Sequence, residues 1–233
     1  MFSRTAHLYD AIYSFKDYAA EATRLRELVE EREPGARTWL DVACGTGKHL
    51  AALRAWSEVE GVDVDPALLA VARERLPDVP LHEGDMTTLD LGREFDVVTC
   101  LFSSIGYVVT RERLAAAGAA LARHVAPGGL LVVEPWLTPD GYVPHHLGAV
   151  FVDEPELKVA RVNVAGALTD PLVMDMHYLV GTPAGVEHVV ERHELGMFTR
   201  EEYVGAVGAA GLDAEWLDGG PMGRGLVLGR RGA

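Results

Sequence analysis

Leu40-Asp41-Val42-Ala43-Cys44-Gly45-Thr46-Gly47 reads as a strand that runs straight into a glycine turn and then a helix. Glycine at 45 and 47 lets the backbone turn sharply and lets a ligand approach the main chain, because no Cβ stands in the way. Asp63 follows Asp41 by 22 residues, at the end of the next strand-like run. In open α/β sheets a carboxylate there accepts hydrogen bonds from the two hydroxyls of a ribose. A third element, Gly84-Asp85-Met86, follows the next short strand and precedes the apolar run from Phe95. Asp85 can accept from an adenine amino group while the soft Met86 side chain packs on the ring. These features fall at successive strand ends, the edge where this architecture binds ligands, and together they describe an adenosine site.

Three adenosine-bearing cofactors compete for such a site. A dinucleotide fingerprint needs a third glycine three residues after Gly47, and Leu50 stands there. A phosphate-cradling P-loop needs glycine where the chain has Val42, and Ser or Thr where it has His49. S-adenosylmethionine (SAM) carries no phosphate and a cationic sulfonium, which suits an acidic residue, Asp41, beside the turn.

The elements that must hold these residues alternate. The spacing predicts a helix over 17–33, a strand at Thr38 to Val42, a helix at Gly45 to Trp56 and a strand at Val59 to Val64. A helix at Pro66 to Arg75, short strands near Pro80 to His82 and Phe95 to Phe102, a helix at Arg111 to Val125 and a strand at Leu130 to Glu134 follow. Beyond Trp136 the pattern changes to extended stretches, two of them joined at Thr182-Pro183-Ala184-Gly185. A last helix, Thr199 to Ala210, opens with Thr199 and Glu202 at capping-box spacing, and strands at Ala214 to Leu217 and Leu226 to Gly229 close the chain. The expected fold is α/β, a Rossmann-like seven-stranded, mostly parallel sheet with helices on both faces. Residues 1–136 and 198–233 would form the core, and 137–197 an inserted antiparallel layer that serves as a lid or a dimer surface.

With 233 residues, the chain is long enough for one self-sufficient domain carrying an insertion. A net charge of −14 opposes nonspecific nucleic-acid binding, which depends on Lys and Arg displacing counterions. No apolar run approaches the roughly 18 residues a membrane span needs. The N-terminal segment through Tyr18 lacks the apolar core and cleavage site of a secretory signal, so a cytoplasmic location is expected. Cys44 and Cys100 have no metal or disulfide spacing and read as packing residues. His188 and His193 are an odd number apart on a strand-like run, which puts them on opposite faces, and no metal site is expected.

Several segments together resemble class I SAM-dependent methyltransferases, and more narrowly the bacterial dTDP-aminodeoxysugar N,N-dimethyltransferases of the desosamine and mycaminose type. They are Lys16 to Ala22, Leu40 to Gly47, Gly84-Asp85-Met86, Phe102-Ser103-Ser104-Ile105-Gly106-Tyr107, Val132 to Trp136, and Gly219-Gly220-Pro221-Met222-Gly223-Arg224-Gly225-Leu226. Ala43 departs from the first glycine usual in the family's first motif. The resemblance implies that Tyr18, Ala43, Gly45, Asp63, Asp85, Met86 and Leu101 line SAM, beside Asp41 and Gly47 of the turn. It implies Tyr13, Ser103, Ser104, Tyr107 and Arg224 for the sugar nucleotide, Arg224 offering a forked cation to the pyrophosphate. The Tyr107 position is tyrosine in some relatives and histidine in others.

Methyl transfer requires a neutral amine lone pair opposite the leaving sulfur. Orientation can contribute effective molarities of about 10⁵–10⁸ M, against roughly 10²–10⁴ for a general base. Tyr107 and Tyr13 are therefore expected to orient the amine or a neighbouring hydroxyl, with water taking the proton. Two other readings stay open at this level: an O- or N-methyltransferase of another small metabolite, and a SAM-binding protein without turnover. A homodimer is also compatible with the insertion.

Overall fold

A computed structural model of the chain describes residues 6–233; the first five residues, part of the segment read above for a targeting signal, lie outside the described residues. A 3₁₀ turn at Ala6–Leu8 leads into the short helix α1 (Tyr9–Ile12), and α2 (Tyr18–Arg32) follows. Asp17 caps α2 by accepting from the Ala20 N–H at 2.9 Å.

The core alternates as the hydrophobic pattern requires: β1 (Thr38–Val42), α3 (Lys48–Leu53), β2 (Glu58–Asp63), α4 (Pro66–Arg75), β3 (Leu81–Glu83), β4 (Phe95–Cys100), α5 (Arg111–Arg123) and β5 (Val125–Val133). These five strands are parallel, in the order β5-β4-β1-β2-β3. After the insertion, α6 (Arg200–Ala209), β10 (Asp213–Leu217) and β11 (Leu226–Arg230) complete a seven-stranded sheet, with β11 antiparallel to both β5 and β10. Leu25, Val29, Leu50, Leu53 and Leu69 bury α2, α3 and α4 against one face. Leu114, Leu121, Tyr203 and Val207 bury α5 and α6 against the other. The capping box of α6 forms as its sequence predicts, Thr199 and Glu202 exchanging side-chain and backbone bonds at 3.2 and 2.8 Å.

The predicted helix from Gly45 to Trp56 is shorter in the structure, because Gly45 and Gly47 adopt φ of +57° and +75° and belong to the turn. Helix α5 stops at Arg123, and β5 begins earlier than Leu130: Val125 already pairs with Phe95, and a bulge separates that pair from Val97 and Leu130.

The insertion holds β6 (Leu147–Glu154), β7 (Leu157–Val164), β8 (Leu172–Thr182) and β9 (Gly185–Leu195), an antiparallel meander with β8 and β9 joined at the predicted turn. Alternation along each strand gives it two faces. The inner face packs Val152, Val159, Tyr178, Val180 and Val189 against Leu8, Ile12 and Tyr13 of the N-terminal segment. Arg161, Glu191 and His193 lie on that same inner face, while His188 points outward and is exposed. Both cysteines are buried and free.

One close approach explains why a leucine is tolerated where dinucleotide-binding folds need a third glycine. Gly61 of β2 makes the room from the strand side: a Cβ there would stand 2.6 Å from Leu50 Cδ1 and 2.8 Å from both Cys44 Sγ and Leu81 Cδ2. Gly61→Ala is therefore expected to lower stability by about 1–3 kcal/mol, a fall of roughly 2–10 °C in Tm, read by calorimetry.

Candidate active site

The carboxyl ends of the parallel strands converge, and each carries one expected element. After β1 the chain passes Ala43 at φ +62°, a left-handed conformation that disfavours a side chain, and then the two glycines. A Cβ on Gly45 would meet nothing within 4 Å although the residue is buried, so the turn borders open space. Gly47 differs, since a Cβ there would press on Leu76 at 3.0 Å and Ala72 at 3.3 Å; its role is packing of the turn on α4.

Asp63 ends β2 and braces the turn. Its Oδ2 accepts from the Gly45 N–H at 2.7 Å and its Oδ1 from the Asp65 N–H at 2.8 Å. Burial still raises its pKa against those two bonds. Asp41 lies deeper, 1% exposed, and accepts from Thr99 Oγ1 at 2.7 Å. Burial, with Asp63 nearby, pushes its pKa up to about 6. Two buried acids beside one glycine turn form a site poised for a cation.

Ala43, Asp85 and Met86 line a cavity of about 110 Å³ together with Tyr107 and Arg113. Asp85 accepts from Thr87 at 2.8 Å and pairs with Arg113 at 2.9 Å; despite some burial, these bonds hold its pKa below the usual range. Tyr18 sits half-buried at the start of α2, its ring edge-on to His49 at 4.8 Å. Leu101 is packed in the core on the α2–α4 side of the sheet rather than in the lining of either cavity described here.

A larger cavity, about 460 Å³, opens between the strand ends and the inner face of the second sheet, and Tyr13, Ser103, Ser104, Tyr107 and Arg224 all line it. Arg224 donates to Ser103 Oγ at 2.6 Å and lies over the Trp136 ring at 4.6 Å. Ser103 in turn donates to the Pro135 carbonyl at 2.8 Å. Tyr107 Oη lies 2.8 Å from His193 Nδ1. Burial raises the pKa of Tyr13 and of Tyr107, so both phenols are neutral at pH 7 and neither is a phenolate base. Tyr107 lines both cavities.

Several groups that shape the site were given no role by the sequence, although Lys16 and Glu134 lie in segments that carry the family resemblance. Arg161 of β7 lines the larger cavity and donates to Tyr13 Oη at 3.0 Å, while its buried Nε has no hydrogen-bond partner among the described residues. Glu134 follows β5 and is 1% exposed; its carboxylate accepts from the Phe102 N–H at 2.7 Å and the Met222 N–H at 3.0 Å. Lys16 is buried, paired with Glu21 at 2.8 Å and seated 3.9 Å from the centre of the Phe102 ring. Asp10 of α1 accepts from Thr46 Oγ1 at 2.7 Å and pairs with Arg75, strapping the N-terminal segment over the turn. Only tertiary structure brings these partners together, so their spacing along the chain is uninformative.

A family profile described as a methyltransferase domain matches residues 40–129. The dTDP-3-amino-3,6-dideoxy-alpha-D-glucopyranose N,N-dimethyltransferase of Streptomyces fradiae is 44% identical over 232 residues, 98% of this chain and 91% of the relative. The dTDP-4-amino-2,3,4,6-tetradeoxy-D-glucose N,N-dimethyltransferase of Saccharopolyspora spinosa is 40% identical, covering 97% of this chain and 92% of that one. Among solved structures, DesVI of Streptomyces venezuelae superposes with a TM-score of 0.92 at 43% identity over 98% of both chains. SAM-bound CalS10, an amino pentose methyltransferase from Micromonospora echinaspora, gives 0.88 at 41% identity over 96% of both. The glycine turn with its two buried acids fits the same cofactor, and the chain belongs to the SAM-dependent dTDP-aminosugar N,N-dimethyltransferases, on the class I methyltransferase fold.

Proposed function

We propose that the protein methylates the amino group of a dTDP-linked aminodeoxysugar, twice in succession, in the assembly of a natural-product sugar. The observation that carries this reading is the position of Tyr107, which is shared by the adenosine-side cavity and by the larger cavity with its two guanidinium groups. SAM, when bound, supplies an electrophilic methyl on a cationic sulfur. Asp63 would accept from the ribose hydroxyls, Asp85 and Met86 would hold the adenine, Tyr18 and Ala43 would complete the pocket with Leu101 packed behind it in the core, and Asp41 would counter the cationic end. Arg224 and Arg161 together match the double negative charge of a pyrophosphate, and Ser103 and Ser104 add hydroxyls beside it. Tyr13 and Tyr107 then orient the sugar. Since both are neutral phenols, the amine's proton leaves to water and the tyrosines position.

The outer face of the second sheet exposes Leu147, Phe151, Val164 and Val186, at 68%, 73%, 52% and 73%. Large apolar side chains exposed on one sheet face, with Leu147 paired beside Val164, suit a protein contact, and we assign this face to a homodimer contact. Among the described residues no helix is long and apolar enough to cross a membrane. We place the reaction in the cytoplasm.

Three outcomes test this reading. Incubation with SAM and a panel of dTDP-aminosugars should add 28 mass units, two methyl groups replacing two hydrogens (about 14 each), to at least one of them, and Arg224→Ala should weaken its binding about 30- to 150-fold by calorimetry; methylation of an unrelated small metabolite alone would move the reading to that substrate. SAM binding should weaken about tenfold between pH 7 and pH 5, because a bound cation favours ionised Asp41, whose free pKa of about 6 means protonation must be reversed below it. Asp41→Asn should flatten most of that slope, the remainder coming from Asp63. Sedimentation should give a dimer that Phe151→Asp converts to a monomer, and a wild-type monomer would refute the interface.

A further inference from the structure

Helix α1 is a single turn, far too short to hold itself together in water, so its place is set by what fastens it. Leu8 and Ile12, four residues apart, share the side that joins the apolar cluster of the second sheet. Asp10, two residues from each, leaves from the opposite side and closes a ring of bonds with the glycine turn. Its Oδ1 accepts from Thr46 Oγ1 at 2.7 Å, its Oδ2 accepts from Arg75 Nη2, and Arg75 Nη1 donates to the Thr46 carbonyl. Lys48 Nζ adds a positive charge 3.7 Å from Oδ1. The direction of each bond is fixed by the groups themselves, since a guanidinium only donates and a carboxylate only accepts. Thr46 is buried between Gly45 and Gly47, so the ring grips the turn at its centre.

Tyr9 and Tyr13 are also four residues apart; their ring centroids lie 4.7 Å from each other and both line the larger cavity. The Tyr13 N–H donates to the Tyr9 carbonyl at 3.0 Å and the Lys16 N–H to the Tyr13 carbonyl at 3.1 Å, which ties the two tyrosines to the same turn of backbone as Asp10. Asp10 itself lines neither cavity, so any effect on the reaction must pass through its neighbours.

We propose that Asp10 is a positioning residue: through Thr46 and Arg75 it makes the cofactor turn hold Tyr9 and Tyr13 in place, so that filling the SAM site orders the tyrosines of the sugar cavity. Opening the strap frees Thr46 and loosens the turn, and a ligand that needs the turn ordered opposes that opening. A shift of about 1 Å in a positioning group can cost a hundredfold in rate, so the strap sets turnover as well as order. The inference rests on the functional reading above for its sugar side, and on the ring of bonds at the glycine turn for its cofactor side.

Two measurements separate those supports. In hydrogen exchange read by mass spectrometry, saturating S-adenosylhomocysteine should slow exchange over residues 43–48, and over residues 9–16 by about five- to tenfold. In Asp10→Ala the slowing over 43–48 should persist and that over 9–16 should fall below about twofold, while S-adenosylhomocysteine binds about five- to tenfold more weakly, because coupling is reciprocal. Arg75→Ala breaks the same ring from α4 and should behave alike, which keeps the test open if Asp10→Ala does not fold. Slowing over 9–16 that is absent from the wild type, or undiminished in both variants, overturns the proposal whether or not a substrate is known. In turnover at saturating SAM and sugar nucleotide, Asp10→Ala should lower kcat about tenfold, Arg75→Ala as much, and the double variant no further, since both act through one ring. Turnover restored in full by saturation, or losses that multiply in the double variant, overturn it. A wild-type protein that methylates no aminosugar nucleotide would count against the functional reading, and the exchange data would then decide this proposal by themselves.

Discussion

One buried carboxylate decides where the larger cavity's polar groups stand. Glu134 follows strand β5, and its two oxygens accept from backbone N–H groups of two separate loops, at Phe102 and at Met222. The first loop carries Ser103, Ser104 and Tyr107; the second carries Arg224. Phe102 and Ser103 are held at φ of +51° and +63°, a conformation costing roughly 1–2 kcal/mol per residue, so something must hold them there. A carboxylate accepting two N–H bonds in a dry setting can, since charge-assisted bonds contribute about 1.5–3 kcal/mol each. Arg224 then closes the arrangement by reaching back to Ser103. Buried Lys16, against the Phe102 ring and 3.6 Å from Met222 Sδ, places a positive charge between the same two loops.

The division of charge across the site suits two ligands of opposite sign. Acids gather on the glycine-turn side, where Asp41 and Asp63 are both buried and both pushed upward in pKa. Arginines 161 and 224 gather in the larger cavity, in a chain whose net charge is −14. Each cluster is costly without its partner, which is the usual condition of a binding site. Tyr107 stands where the two regions meet, and its own environment is fixed from behind by the second sheet rather than by the core that bears it.

Much of this was legible in the sequence because it depends on local rules. Glycines at a turn, the Asp63 carboxylate at the following strand end, the capping box at Thr199 and the Thr182 to Gly185 hairpin are all specified by neighbours a few residues apart. The five residues expected at the sugar nucleotide line one cavity for a different reason, a family resemblance along nearly the whole chain. Spacing could not reveal contacts closed over long distances: Asp10 with Arg75, Arg161 with Tyr13, Glu134 with Met222. His193 shows the limit well. Alternation placed it opposite His188, and the same alternation put it on the inner face with Met174 and Leu195, yet nothing local says that Tyr107, 86 residues earlier, is what it meets there.

Tyr107 lines both cavities and is the junction at which the proposed nucleotide sugar and adenosine cofactor would meet. A crystal structure of the protein with S-adenosylhomocysteine and a dTDP-aminosugar tests that most directly. It should show adenosine hydroxyls on Asp63, pyrophosphate oxygens on Arg224, and the amine nitrogen within hydrogen-bond reach of Tyr107 Oη. An amine lying away from Tyr107, or a nucleotide sugar outside the cavity beneath the second sheet, would contradict it.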